Sequence, residues 1–313
     1  MWNDRMEGKK GRRRMNMTDI RFPNLHISLS NVGSGIMIGG FEIKYYGIII
    51  ACGFLLGLFV AMQEAKRTGQ DPELYMDYLL CMIFPAIIGA RLYYVIFSWD
   101  YYKEDLTRIF MMRQGGLAIF GGVIMGVIVL ILFAKYRKQP FFKMTDTIVM
   151  SLLIGQIMGR WGNFFNREAF GGFCEGLFAM QIPVDYFEQM GRLGEIQATG
   201  LLNHVVTVGK GAEAISCIQV HPTFLYESLW NLALLLFIFL YRKHKKFEGE
   251  LFALYLMGYG IGRFWIERLR VDQLTIGYTG LAVSQILSAV LAAGSIIACL
   301  MVRKRLKTKE EKR

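Results

Sequence analysis

Seven stretches of about twenty mostly apolar residues recur along the chain, each the length a helix needs to cross a bilayer. They cover residues 45–64, 76–97, 116–135, 146–165, 222–241, 250–267 and 280–302. In hydrocarbon every backbone polar group must bond within its own segment, so each stretch is expected to be an α-helix. Composition agrees: 54% of the 313 residues are hydrophobic and 19% charged. The mean hydropathy of +0.34 exceeds that of an ordinary soluble domain. No small-residue cleavage site follows the first stretch, so it reads as a span and not as a removable signal. The expectation is an all-α integral membrane protein with seven transmembrane helices.

A formal charge of +11 raises nucleic acid as a partner, but its placement argues against that. Lys and Arg gather at Lys66 and Arg67, at Lys135, Arg137, Lys138 and Lys143, at residues 242–246 and at residues 303–313. These clusters follow the first, third, fifth and seventh spans. Such alternation puts the N-terminus outside and the C-terminus in the cytoplasm of a multi-pass plasma-membrane protein. The basic residues then face anionic membrane lipid, and no basic groove interleaved with aromatics suits a nucleic acid. Residues 1–14, MWNDRMEGKKGRRR, conflict with this by placing six basic residues outside. With Met15 and Met17 following, residues 1–16 read as a start-site artefact or a dispensable extension.

The resulting organisation is an N-terminal extracytoplasmic segment (1–42), helices one to four (43–166), a head segment (167–221), helices five to seven (222–302) and a basic cytoplasmic tail (303–313). Within the head, GLFAMQIPV and AISCIQVHP read as short strands, giving a small extracytoplasmic cap with some β structure. Cys52, Cys81 and Cys299 fall in spans as small core residues. Cys174 and Cys217 share the head, where a disulfide is possible. No spacing suits a metal, so no cofactor is expected.

Ionisable residues inside spans are costly and therefore informative. They are Arg91, Arg160, Arg263 and Glu267, with Asp146 and Glu227 near span starts. Arg263, Glu267 and Arg270 are spaced to share one helical face. A carboxylate between two guanidiniums can hold both while leaving a net positive face. The alternative is a structural ion pair, with Arg270 reaching to water. In GRWGNFFNREAFGG (residues 159–172) Arg160, Asn163 and Asn166 lie along one side if the helix continues, and Gly171 and Gly172 let the chain turn away. Several Arg at one depth suit an anionic ligand, because guanidinium matches two phosphate oxygens and stays protonated. Tyr45 and Tyr46 open the first span. Gly115, Gly116, Gly121 and Gly122 open the third, where close packing and ligand approach are both open readings.

GRWGNFFNREAFGG resembles the signature of the bacterial prolipoprotein diacylglyceryl transferases. Four companions match in order: YYG in span one, GGLAIFGG at span three, HPTFLYE at span five and GYGIGRFWIERLR in span six. The resemblance covers residues 38–300. It implies a plasma-membrane enzyme that moves the diacylglyceryl group of phosphatidylglycerol onto the lipobox cysteine of a prolipoprotein signal peptide, releasing glycerol phosphate. By resemblance, the functional positions are Tyr46, Arg160, Asn163, Glu168, Gly171, Arg263, Glu267 and Arg270. Together with the residue chemistry, the resemblance implies catalysis by Arg160, Arg263, Tyr46 and Glu267, and phosphatidylglycerol binding by Arg160, Asn163, Asn166, Glu168, Gly171 and Arg270. One departure matters: Phe120 stands where the family often has His. A transporter for an anionic solute is the alternative, although the repeated halves it should show are absent.

Overall fold

The computed structural model describes residues 15–112, 115–211, 214–273 and 280–311. The basic segment 1–14 therefore lies outside the described residues. Helices are α1 (Tyr45–Arg67), α2 (Glu73–Phe97), α3 (Trp99–Tyr102), α4 (Ile119–Tyr136), α5 (Phe141–Asn166), α6 (Val184–Gln189), α7 (Leu193–Ala198), α8 (Thr223–Tyr241), α9 (Glu250–Glu267) and α10 (Val283–Glu311). Strands are β1 (Ile20–Phe22), β2 (Ile27–Leu29), β3 (Gly35–Ile38), β4 (Phe41–Lys44), β5 (Met180–Pro183), β6 (Val205–Val208) and β7 (Ile215–Val220).

Every predicted apolar stretch is a helix. Six of them, α1, α2, α4, α5, α8 and α10, are long and apolar enough to cross a membrane. The sixth stretch is α9, with the predicted bounds; its 18 residues include Glu250, Arg263 and Glu267, which dilute its apolar character. The third stretch starts later than expected, at Ile119, because Gly115 and Gly116 take positive φ of 92° and 80°, which a right-handed helix does not use.

The chain divides into two compact units. One takes in the described residues within Met1–Ile50, Met158–Trp230 and Ile261–Ala289. Its centre is an antiparallel five-stranded sheet in the order β2-β1-β5-β7-β6. The two stretches expected to be strands are β5 and β7, paired from Met180–Val220 to Pro183–Cys217. Ile20, Phe164, Phe170, Ile182, Phe187, Ile218 and Val220 form its core. Arg167, 1% exposed, ties the N-terminal segment down: its Nη2 donates to the carbonyls of Thr18 and Val32, each at 2.7 Å, and its guanidinium stacks on Tyr186. Met15 is buried with Ile215 and Cys217, and the Asn16 N–H donates to Asp19. Cys174 and Cys217 are not bridged; both are free and buried, and burial pushes the Cys217 thiol up to about 12.

The other unit takes in the described residues within Ala51–Ile157, Asn231–Gly260 and Val290–Arg313. Glycines let α2 and α4 touch: a Cβ on Gly121 would lie 2.2 Å from the Gly89 carbonyl oxygen. Gly116 faces side-chain tips instead, where a Cβ would meet Arg91 Nη1 at 2.4 Å. For Gly121 the packing reading holds. Arg91 is itself a backbone clamp, donating to the carbonyls of Arg108, Ile109, Gly115 and Gly116. Buried carboxylates collect the basic clusters: Glu64 pairs with Arg67 and Arg242, Asp146 with Lys245 and Glu250 with Arg303. Asp146 also accepts the N–H groups of Gly249 and Phe252 at the start of α9, where the helix dipole favours an anion. Cys52 and Cys81 are exposed on α1 and α2 and are not the core residues expected from their place in spans.

Candidate active site

Three helix segments of the first unit converge on one carboxylate. α5 runs unbroken to Asn166, so Arg160, Asn163 and Asn166 project along one side as their spacing requires. α8 supplies Glu227 one turn after its start, and α9 supplies Arg263 and Glu267 near its end.

Glu227, with its side chain 4% exposed, is the hub. Its Oε2 lies 3.0 Å from Arg160 Nε. Its Oε1 accepts a 2.8 Å bond from Arg263 Nη1 and lies 3.6 Å from Arg270 Nη1. Glu267 Oε2 lies 2.5 Å from Arg263 Nη2 and 3.9 Å from Arg270 Nε. Arg270 also forks onto Asp272, at 2.9 Å and 2.6 Å. Burial alone would raise the Asp272 carboxyl; the Arg270 fork outweighs it and holds that carboxyl below its usual range.

The network continues along α5. Arg160 Nη1 donates to Asn163 Oδ1 at 3.1 Å, and Asn163 Nδ2 donates to Glu168 Oε1 at 2.8 Å. Asn166 Nδ2 donates to the same oxygen at 3.2 Å. Tyr46 joins from α1, its phenol interacting electrostatically with Glu168 and Arg160. Its ring lies flush on Gly162, where a Cβ would come within 2.6 Å of Cδ2.

The expected net positive face is not found. Arg160, Arg263 and Arg270 are met by Glu227, Glu267 and Asp272, because buried guanidiniums cost too much without partners. Arg160 nevertheless stays the most open of the three, with its side chain 23% exposed. Its Nη2 makes no hydrogen bond to the described residues.

Gly171 does not serve a turn. The chain reverses at Arg167 and Ala169, with φ of 48° and 55°, and Gly171 then bridges Arg270. Its N–H donates to the His221 carbonyl, and the Gly172 N–H donates to that of Leu269. A Cβ on Gly171 would lie 2.7 Å from the Leu269 oxygen, so the residue allows the close approach that seats Arg270. Burial lowers the neighbouring His221 imidazole. Phe120 belongs to the second unit, where it is exposed on the first turn of α4 with its ring 6.2 Å from that of Tyr93.

The structure brings Tyr46, Arg160, Asn163, Asn166, Glu168, Arg263, Glu267 and Arg270 together. In the sequence Glu227 stands out only as a residue near a span start, and Asp272 carries no signal of its own. A carboxylate inside the apolar start of α8 was the available signal; its three partners lie too far along the chain to be paired by spacing.

A multi-pass helical membrane protein with an arginine–carboxylate network gathered from helix ends is the class these features define. Within it, the chain belongs to the prolipoprotein diacylglyceryl transferase family, whose model matches residues 35–301. It is 37% identical over 266 residues to a phosphatidylglycerol–prolipoprotein diacylglyceryl transferase of Clostridioides difficile (strain 630), covering 85% of this chain and 93% of that one. Proteins of the same name from Bacillus cereus (strain Q1) and Bacillus anthracis (strain A0248) are 42% and 41% identical over 274 residues, covering 86% of this chain and 91% of each.

Proposed function

We propose that the protein transfers the diacylglyceryl group of phosphatidylglycerol to the lipobox cysteine thiol of a prolipoprotein signal peptide, the first step of lipoprotein maturation. The observation that carries this reading is the Arg160–Glu227–Arg263 junction, two guanidiniums locked by one buried carboxylate. In the reaction the cysteine sulfur attacks the glyceryl carbon, a C–S bond forms, and the C–O bond to phosphate breaks. The electron pair leaves with glycerol phosphate. Guanidiniums already fixed in place stabilise that developing charge without reorganising. Arg160 is the foremost phosphate contact, with Arg263 behind it and Arg270 beside it. Asn163, Asn166 and Gly171 help to shape the binding site.

Phe120 cannot take a proton, so the thiol proton passes to the Glu168 carboxylate, directly or relayed through Tyr46 or water, with the nearby guanidiniums favouring the thiolate. Glu267 orients Arg263 and Arg270. In this reading α9 is a seventh span, the sheet of the first unit is the extracytoplasmic head, and the enzyme sits in the bacterial plasma membrane. An N-terminus outside and a C-terminus in the cytoplasm are supported by the basic clusters. Arg67, Arg242, Lys245 and Arg303 all pair with buried carboxylates of one unit.

Incubating the purified protein with acyl-labelled phosphatidylglycerol and a lipobox peptide tests the proposal. Label on the peptide, with glycerol phosphate released in equal amount, is the expected result. An unmodified peptide alongside uptake of an anionic solute into vesicles would establish transport instead.

A further inference from the structure

The strands β3 and β4 form a hairpin separate from the main sheet. Gly39 and Gly40 make its turn with φ of 57° and 85°, the geometry a tight two-residue hairpin demands. Directly opposed residues share a face. The register pairs Ile36 with Ile43 and Ile38 with Phe41 on one face, and Met37 with Glu42 and Gly35 with Lys44 on the other. The first face is wholly apolar and uncovered: Ile38 is 58% and Phe41 79% exposed. The second carries its own polar cluster, in which Lys44 Nζ donates to Glu42 at 2.7 Å and to Ser34 at 3.1 Å.

An isolated two-stranded hairpin is marginal in water, so this apolar face needs a cover. Its connection identifies one. β4 ends at Lys44 and α1, apolar enough to cross a membrane, begins at Tyr45. The Tyr45 N–H donates to the Ser34 carbonyl at 2.9 Å, which fastens the hairpin base to the helix start. Four residues of strand reach about 13 Å, which keeps the whole hairpin beside the bilayer boundary, where amphipathic segments bury an apolar face about 5–10 Å deep.

We infer that the β3–β4 hairpin lies in the lipid leaflet at the N-terminal end of α1, with Ile36, Ile38, Phe41 and Ile43 among the acyl chains. Glu42 and Lys44 then face the headgroups. Tyr46, two residues beyond β4, is thereby held at the leaflet boundary. The inference depends on α1 crossing the membrane and not on the transferase reading.

Photo-crosslinking of the full chain in phosphatidylglycerol–phosphatidylcholine nanodiscs tests it. Phe41→p-benzoylphenylalanine and Met37→p-benzoylphenylalanine place the probe on the two faces. Both positions are exposed, so neither change disturbs packing. Lipid adducts several-fold more abundant from position 41 than from position 37 are expected, with or without a lipobox peptide. Equal labelling from both faces would overturn the inference. So would adducts at position 41 formed chiefly with the peptide, or with a second copy of the chain.

Discussion

Glu227 meets Arg160, Arg263 and Arg270 at once, and that arrangement makes its loss unusually damaging. Glu227→Gln keeps the shape but leaves these guanidiniums short of a countercharge inside the protein. Removing one partner of a buried pair costs about 3–5 kcal/mol, so the variant should unfold at markedly lower temperature and lose transfer. Thermal unfolding in detergent with a parallel transfer assay checks this, and a variant as stable and active as the parent would contradict it. Phe120 is the opposite case, an exposed ring in the second unit with no proton to exchange. Phe120→His should leave the transfer rate within about tenfold, roughly 1.4 kcal/mol of barrier. A parent chain that is inert until His is introduced would refute a route to Glu168.

At the scale of elements, the site depends on backbones that approach closely. Gly171 passes between the His221 carbonyl and the end of α9, and a Cβ would sit 2.7 Å from backbone oxygen, closer than real contacts allow. Gly171→Ala should therefore push the Leu269–Arg270 backbone away. Transfer should fall steeply, with lower thermal stability, and unchanged values of both would remove the seating role. The helices were legible because a bilayer demands long apolar runs, and β5 and β7 because turn residues bound them. β1 and β2 were not: each has three residues, too few to show alternation, and they are held by Arg167 from far along the chain. The Arg and Asn positions of the site could be read from helical spacing. The pairing of the three arginines with Glu227 could not, because it depends on how α5, α8 and α9 pack. The glycine pair 171–172 suggested a turn because glycine usually marks one; only tertiary packing distinguishes a turn from a close approach.

For the molecule as a whole, the proposed orientation rests on charge. α10 continues beyond its apolar part into Arg303, Lys304, Arg305, Lys307 and Lys309, a cluster the cytoplasmic side retains. Alkaline phosphatase fused to the C-terminus should stay inactive in whole cells, while a fluorescent-protein fusion should shine. An active phosphatase would reverse the orientation and place the Arg160–Glu227 network on the cytoplasmic side.

The central claim is that fixed guanidinium forks stabilise the phosphate leaving phosphatidylglycerol. It is tested most directly by single-turnover transfer to a lipobox peptide, comparing the parent with Arg160→Lys and Arg263→Lys. Lysine keeps the charge but loses the planar fork. Each variant should be slower by about a hundredfold, roughly 2.7 kcal/mol, while remaining folded. Near-parental rates for both lysine variants would contradict the account, because charge alone would then suffice.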